Sequence, residues 1–130
     1  MLEIMLAVRP RWLQLILSGI KDVELRKSRP RTAELFLVDL YETKSYGGRG
    51  AVVGRCLCYC VARVKDLSEM AALQENSCVS TADMLQYSGQ RHLCAWYLAD
   101  IEQFSAQRLL SEYGISRAPQ SWCYVKEGAK

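Results

Sequence analysis

The sequence predicts an α+β domain: a small mixed β-barrel of five or six strands with helices in the connections. Three observations carry that expectation. Apolar residues recur with a period close to two over 2–8, 22–27, 34–43, 52–64, 93–104 and 121–126, which marks strands with at least one covered face. Helical patterns fall only between these stretches. The longest strand candidate, 52–64, keeps small residues on one face (Val52, Gly54, Cys56, Cys58, Cys60, Ala62, Val64) and mostly larger ones on the other, as the confined interior of a small barrel requires. The chain has 130 residues, 50% of them hydrophobic and 24% charged, which suits a single domain over 1–130 whose core needs no covalent staples.

Taken in order, Leu2, Ile4, Leu6 and Val8 place the apolar face of a first strand on even positions. Pro10 suits the first turn of a helix, where a missing N–H costs nothing. Trp12, Leu15 and Ile16 then fall on one helical face, and Gly19 offers a left-handed stop. Val23 and Leu25 alternate with Glu24 and Arg26 in a second strand, and the basic loop 28–32 follows. The third strand, ELFLVDLYET over 34–43, has a nearly continuous apolar centre, which predicts cover on both faces. The glycine-rich KSYGGRGA after it lacks a following G-K-[ST] and a helix, which excludes a phosphate-binding P-loop. Gly54 marks a bend or bulge in the fourth strand. Short helices are expected over 69–74, capped by Ser68, and over 81–87, capped by Ser80 with Asp83 three residues on. A fifth strand over 93–104, one or two helical turns over 105–113 and a last strand over 121–126 complete the reading.

Several function classes drop out. The apolar start MLEIMLAVRP is too short for a secretory leader, and no 18-residue apolar window occurs, so a cytoplasmic protein without a membrane span is expected. The six cysteines (Cys56, Cys58, Cys60, Cys78, Cys94, Cys123) contain no C-x-x-C pair, and His92 is the one histidine. They read as reduced core residues, with Cys56, Cys58 and Cys60 interior, and neither a metal site nor a cofactor is expected.

The chemistry concentrates in 9–31. This stretch holds seven Lys or Arg against Asp22 and Glu24, a balance of +5 in a chain of +3. Glu24 and Arg26 share a strand face at i, i+2 and can pair, with Lys21 on the turn before them. Two readings follow: a solvated ion-pair cluster of little energetic weight, or a polar cleft in which the cations hold a phosphate or carbonyl oxygen while Glu24 accepts from a base N–H. Trp12 reads as core or as a cleft wall that stacks a base; Tyr41, Thr43, Tyr46 and Trp122 are further contact candidates. Arg29, Arg31, Lys44 and Arg49 are candidates for a phosphate path.

The order of strand, R-P-x-W helix, G-x-K, x-x-E-x-R, basic loop and long strand ending in Y-x-T rests on Pro10, Trp12, Ile16, Ser18, Gly19, Lys21, Glu24, Leu25, Arg26, Tyr41 and Thr43. A weaker continuation takes in Gly54, residues 85–87 and the closing APQSWCY. The chain thereby resembles the ASCH domain family (activating signal cointegrator homology), of the PUA-like superfamily. That resemblance implies a PUA-like β-barrel with a cleft beside the first helix, and RNA, a nucleotide or a nucleoside as ligand. It also implies an alternative, a small amidohydrolase acting on N4-acylated cytidine or a related modified nucleoside. In the hydrolytic branch a Lys after the Gly acts as base, a Thr three residues later as nucleophile, and a distant Glu completes the set. Lys21 falls on the Lys, Glu75 falls on the Glu, and Glu24 stands where that branch has Thr.

Overall fold

In the computed structural model, which describes residues 1–89 and 91–126, six strands form one sheet curled into a half-barrel. The strands are β1 (Glu3–Val8), β2 (Val23–Arg26), β3 (Phe36–Glu42), β4 (Ala51–Val64), β5 (Leu93–Arg108) and β6 (Trp122–Tyr124). Their spatial order is β2-β5-β4-β3-β1-β6. β1 and β3 run parallel, joined by the connection that holds α1 (Pro10–Leu17) and β2; the other pairings are antiparallel. α2 (Leu67–Ser77) and α3 (Thr81–Ser88) lie in the β4–β5 connection. Among the described residues, no helix is long and apolar enough to cross a membrane.

The even positions of β1 go inward as the alternation predicts. Ile4, Leu6 and Val8 join Phe36, Val38 and Leu40 of β3, Val53, Cys56 and Cys58 of β4, and Trp96 and Leu98 of β5. Leu13 and Ile16 of α1 enter the same cluster, so the helix covers one mouth of the half-barrel. Trp12 sits at its edge, half-buried. The odd positions are covered too: Met5, Ala7 and Tyr41 pack with Val52, Tyr113 and Val125. The chain after β5 thus returns across the outer face, which is why β1 and β3 are buried on both sides.

The expectations for the second half of the chain need three corrections. β5 continues to Arg108, so 105–108 is strand, and only Leu110–Tyr113 is helical, as a 3-10 turn. Asp100 (φ 53) inserts an extra residue between Ala99, opposite Leu57, and Glu102, opposite Arg55; this bulge breaks the period-two pattern. α2 is longer than expected, and its first turn is capped by Asp66, whose carboxylate accepts from the Glu69 N–H at 2.9 Å. Register shifts in β4 bring Val53, and not Val52, into line with Cys56 and Cys58, and leave Cys60 exposed. All six cysteines are free.

Two features of the sheet give tests. A Cβ at Gly54 would lie 2.5 Å from the Glu102 carbonyl oxygen and 3.2 Å from Leu17 Cδ2, so α1 and β5 close on β4 only because no side chain stands there. Gly54→Ala is expected to lower stability by about 1–3 kcal/mol, read from denaturant midpoints. On the outer face, Arg55 of β4 reaches Glu3 at 3.3 Å and Asp39 at 3.2 Å. Burial, aided by the neighbouring Glu3 carboxyl and opposed by Arg55, pushes Asp39 up from 3.8 to about 7. The folded state therefore binds this proton more tightly than the unfolded chain, and the stabilisation it provides at low pH is lost as pH rises through about 7. Asp39→Asn is expected to flatten the decline in stability between about pH 4 and pH 7, measured by urea unfolding across that range.

Candidate functional site

The turn between α1 and β2 is held at both ends. Gly19 (φ 81) takes the left-handed conformation at the end of α1, and the Lys21 N–H donates to the Leu15 carbonyl at 2.9 Å. Asp22 is tied to Asn76 of α2, backbone to backbone at 3.0 Å and side chain to side chain at 3.1 Å. Lys21 is consequently turned inward and is 1% exposed. Its ammonium donates to the Ser77 carbonyl at 2.5 Å and lies 3.3 Å from Glu24 Oε1. The Ser77 carbonyl belongs to the C-terminal end of α2, where carbonyls lack helical partners and the dipole favours a cation. The ring of Trp12 lies 5.1 Å from the same ammonium.

Glu24 is the hub. Oε1 also accepts from the Leu25 N–H at 3.1 Å, and Oε2 accepts from Arg26 Nη2 at 2.7 Å. Burial acts to raise the Glu24 carboxyl, but the charges of Arg26 and Lys21, with hydrogen bonds from Arg26 and Leu25, hold it below its ordinary value. It is a fixed carboxylate, an acceptor and not an acid at neutral pH. Arg26 reaches further. Nη2 also donates to the Ala7 carbonyl at 2.9 Å, and Nη1 donates to the carbonyl and hydroxyl oxygens of Ser121 at 3.2 and 3.1 Å. β2 and β6 are the two edges of the sheet, so this guanidinium spans the seam the half-barrel leaves open.

A cleft of about 650 Å³ opens over this trio. α1 supplies Trp12, the β1–α1 turn Arg9, the loop after β3 Thr43 and Ser45, α3 Asp83, Gln86 and Tyr87, and the segment before β6 Gln120 and Ser121. Three cation–aromatic pairs stand at its rim: Arg9 over Tyr46 at 4.6 Å, Arg11 over Trp12 at 4.6 Å and Lys27 over Tyr87 at 4.7 Å. The three cations are exposed.

The other sequence candidates divide. Thr43 lines the cleft, with its hydroxyl accepting from Ser45 at 2.9 Å. Lys44 and Arg49 are exposed on the adjoining loop, Arg49 lying 3.7 Å from Glu42. Tyr41 does not reach the site: it is buried on the opposite face of β3. Arg29 donates to the carbonyls of Val61 and Thr32, and the Arg31 N–H donates to the Tyr124 hydroxyl; neither side chain lines the cleft. Trp122 packs edge-on against Trp96 and Tyr124, its indole N–H bonded to Ser28. Glu75 is exposed on α2 and is not part of the cleft wall, so the hydrolytic set Lys21, Glu24 and Glu75 is not gathered in one place. Among the described residues, Asp83 is the carboxylate besides Glu24 that lines the wall. Asp83, Gln86, Tyr87, Gln120 and Ser121 were missed by sequence reasoning. Lys27 was countable in the +5 stretch, but nothing in the sequence pairs it with Tyr87.

A curled mixed sheet with a helix over one mouth and a cleft beside that helix defines a PUA-like domain. The chain belongs to the ASCH domain family, whose model matches residues 6–108. Among solved structures it is similar to ASCH from Zymomonas mobilis, with 20% identity, a TM-score of 0.80 and coverage of 98% of this chain and 90% of that one. Two single-residue variants of that Zymomonas protein, one tyrosine to phenylalanine and one serine to alanine, match at 19% identity and a TM-score of 0.80, covering 98% of this chain and 92% and 90% of theirs. No curated protein matches the chain.

Taking Arg26 from the hub has a calculable cost. Arg26→Ala strands Glu24 beside a single cation, and breaking a buried pair costs about 3–5 kcal/mol; Arg26→Lys is expected to recover part of it, because an ammonium lacks the planar fork. Since the folded value of Glu24 lies below 4.5, its contribution is present above that pH and is lost as pH falls through the folded value. The stability gap between wild type and Glu24→Gln is therefore expected to close on acidification below 4.5, followed by thermal unfolding at stepped pH.

Proposed function

We propose that this domain binds single-stranded nucleic acid, RNA in particular, by admitting one nucleotide to the cleft between Trp12 and Tyr87. The observation that carries the reading is the rim. Three exposed cations each rest on an aromatic ring at the cleft mouth, and aromatic platforms interleaved with cations are the chemistry that holds bases and phosphates without a duplex. Base and ring can exchange partners: a base stacks on the ring, and the displaced cation turns to the backbone phosphate. The family is associated with RNA binding, which supports the same reading.

Inside the cleft the roles follow from charge and hydrogen-bond capacity. Glu24 is held as a carboxylate, and its Oε2 has one donor partner in Arg26, which leaves capacity for a base N–H or exocyclic amine. Thr43, Ser45, Gln86 and Gln120 supply groups that both donate and accept. Lys21 keeps the site cationic while its position is fixed by α2. Arg26 works as the strut that holds the walls apart, because both of its Nη groups are engaged by protein oxygens. Lys44 and Arg49, on the exposed margin, extend the cationic field along the strand's path.

The test is fluorescence anisotropy with a short labelled RNA across salt concentrations. Binding is expected to weaken with salt at a log–log slope of about −0.7 for each phosphate neutralised. Tyr87→Ala is expected to weaken it by about 1–3 kcal/mol, the worth of one stacked base. Binding that ignores salt, or a Tyr87→Ala protein indistinguishable from wild type, would overturn the proposal.

A further inference from the structure

Beside the cleft lies a second groove, of about 520 Å³, lined by Lys27, Ser28, Tyr87, Arg91, His92 and Ser121. Tyr87 and Ser121 line both hollows, so the two are continuous around one tyrosine. Their chemistry differs. The cleft wall includes the carboxylates of Glu24 and Asp83. Among the described residues, the groove wall includes no carboxylate.

The hydrogen bonds around the groove orient its hydroxyls. Ser121 Oγ accepts from Arg26 Nη1 at 3.1 Å, and Ser28 Oγ accepts from Trp122 Nε1 at 2.9 Å. A guanidinium and an indole can only donate. Each serine therefore has an acceptor position filled and its own proton left to give. Lys27 brings an ammonium and Arg91 a guanidinium, both on exposed side chains. Arg63 lies against the His92 ring, within hydrogen-bond range of its nitrogens, and adds a further cation behind the wall. Two cations and two oriented hydroxyl donors, with no anion among them, match the oxygens of a phosphodiester.

We propose that this groove is a phosphate subsite: it holds a backbone phosphate of the strand whose nucleotide occupies the cleft. This rests on the nucleic-acid reading of the cleft and adds to it a direction of travel, with the chain leaving the cleft past Tyr87 toward Arg91. Lys27 has a double part. It covers the Tyr87 ring in the free protein and bonds the phosphate once a base has taken its place on that ring.

The experiment uses the full chain as wild type, as Lys27→Gln/Arg91→Gln and as Lys27→Arg. Anisotropy with a labelled eight-nucleotide RNA is measured across salt. The double variant is expected to bind several-fold more weakly at low salt, with a slope shallower by about 0.7, the share of one phosphate on a single strand. Lys27→Arg is expected to keep the wild-type slope, since the charge is retained. Unchanged affinity and slope in the double variant would overturn the proposal. If wild type binds no RNA, the cleft reading has failed, and inorganic phosphate decides the groove on its own. Amide shifts on phosphate addition at Ser28, His92 and Ser121 in wild type, absent from the double variant, would sustain the anion site. Their absence in wild type would end it.

Discussion

The guanidinium of Arg26 connects what the backbone leaves apart. β2 and β6 are the sheet's two edges, and between them a single side chain ties the carbonyl of Ala7, the backbone and hydroxyl of Ser121, and the carboxylate of Glu24. Desolvating a charge of that kind is costly unless it is paired and hydrogen-bonded in good geometry. Glu24 meets the requirement for Arg26, and Lys21 and the Leu25 N–H meet it for Glu24. The trio is thus one interdependent unit, and the cleft is the space it keeps open.

The fixing of Lys21 shows how distant elements serve this unit. α2 contacts the site through its last turn: Asn76 clamps Asp22, and Ser77 receives the ammonium. α2 ends at Cys78 in the left-handed conformation (φ 61), which stops the helix with that carbonyl facing the lysine. α3 follows after a short connection and brings Asp83, Gln86 and Tyr87 to the opposite wall. The β4–β5 connection therefore contributes both an anchor for the buried cation and the second face of the cleft.

Much of the frame was legible in the sequence. Period-two alternation located each strand, and the caps at Ser80 and the stop at Gly89 located α3. The cluster Lys21, Glu24, Arg26 was legible because a glycine stop, a turn and a two-residue repeat are local facts. The bridging role of Arg26 was not, because its oxygen partners other than Glu24 lie 19 and 95 residues away. The burial of Tyr41 was not legible because its cover, Tyr113 and Val125, comes from the far end of the chain. That Asp83 lines the cleft and Glu75 does not depends on how two short helices are rotated against the sheet, and neither helix has an apolar stripe that settles this from sequence. The extension of β5 was hidden by the bulge at Asp100.

A seam bridged by a side chain differs in kind from one closed by a hydrogen-bonded ladder. Ladder spacing is a constant of the polypeptide, about 4.8 Å between neighbouring strands. The gap at this seam is instead set by groups that reach across it: Arg26 to Ser121, the Trp122 indole to Ser28, and the Arg31 N–H to the Tyr124 hydroxyl. Its width is therefore held by side-chain length and not by backbone spacing, so substitutions at these few positions can change the opening while the ladders of the sheet keep their register.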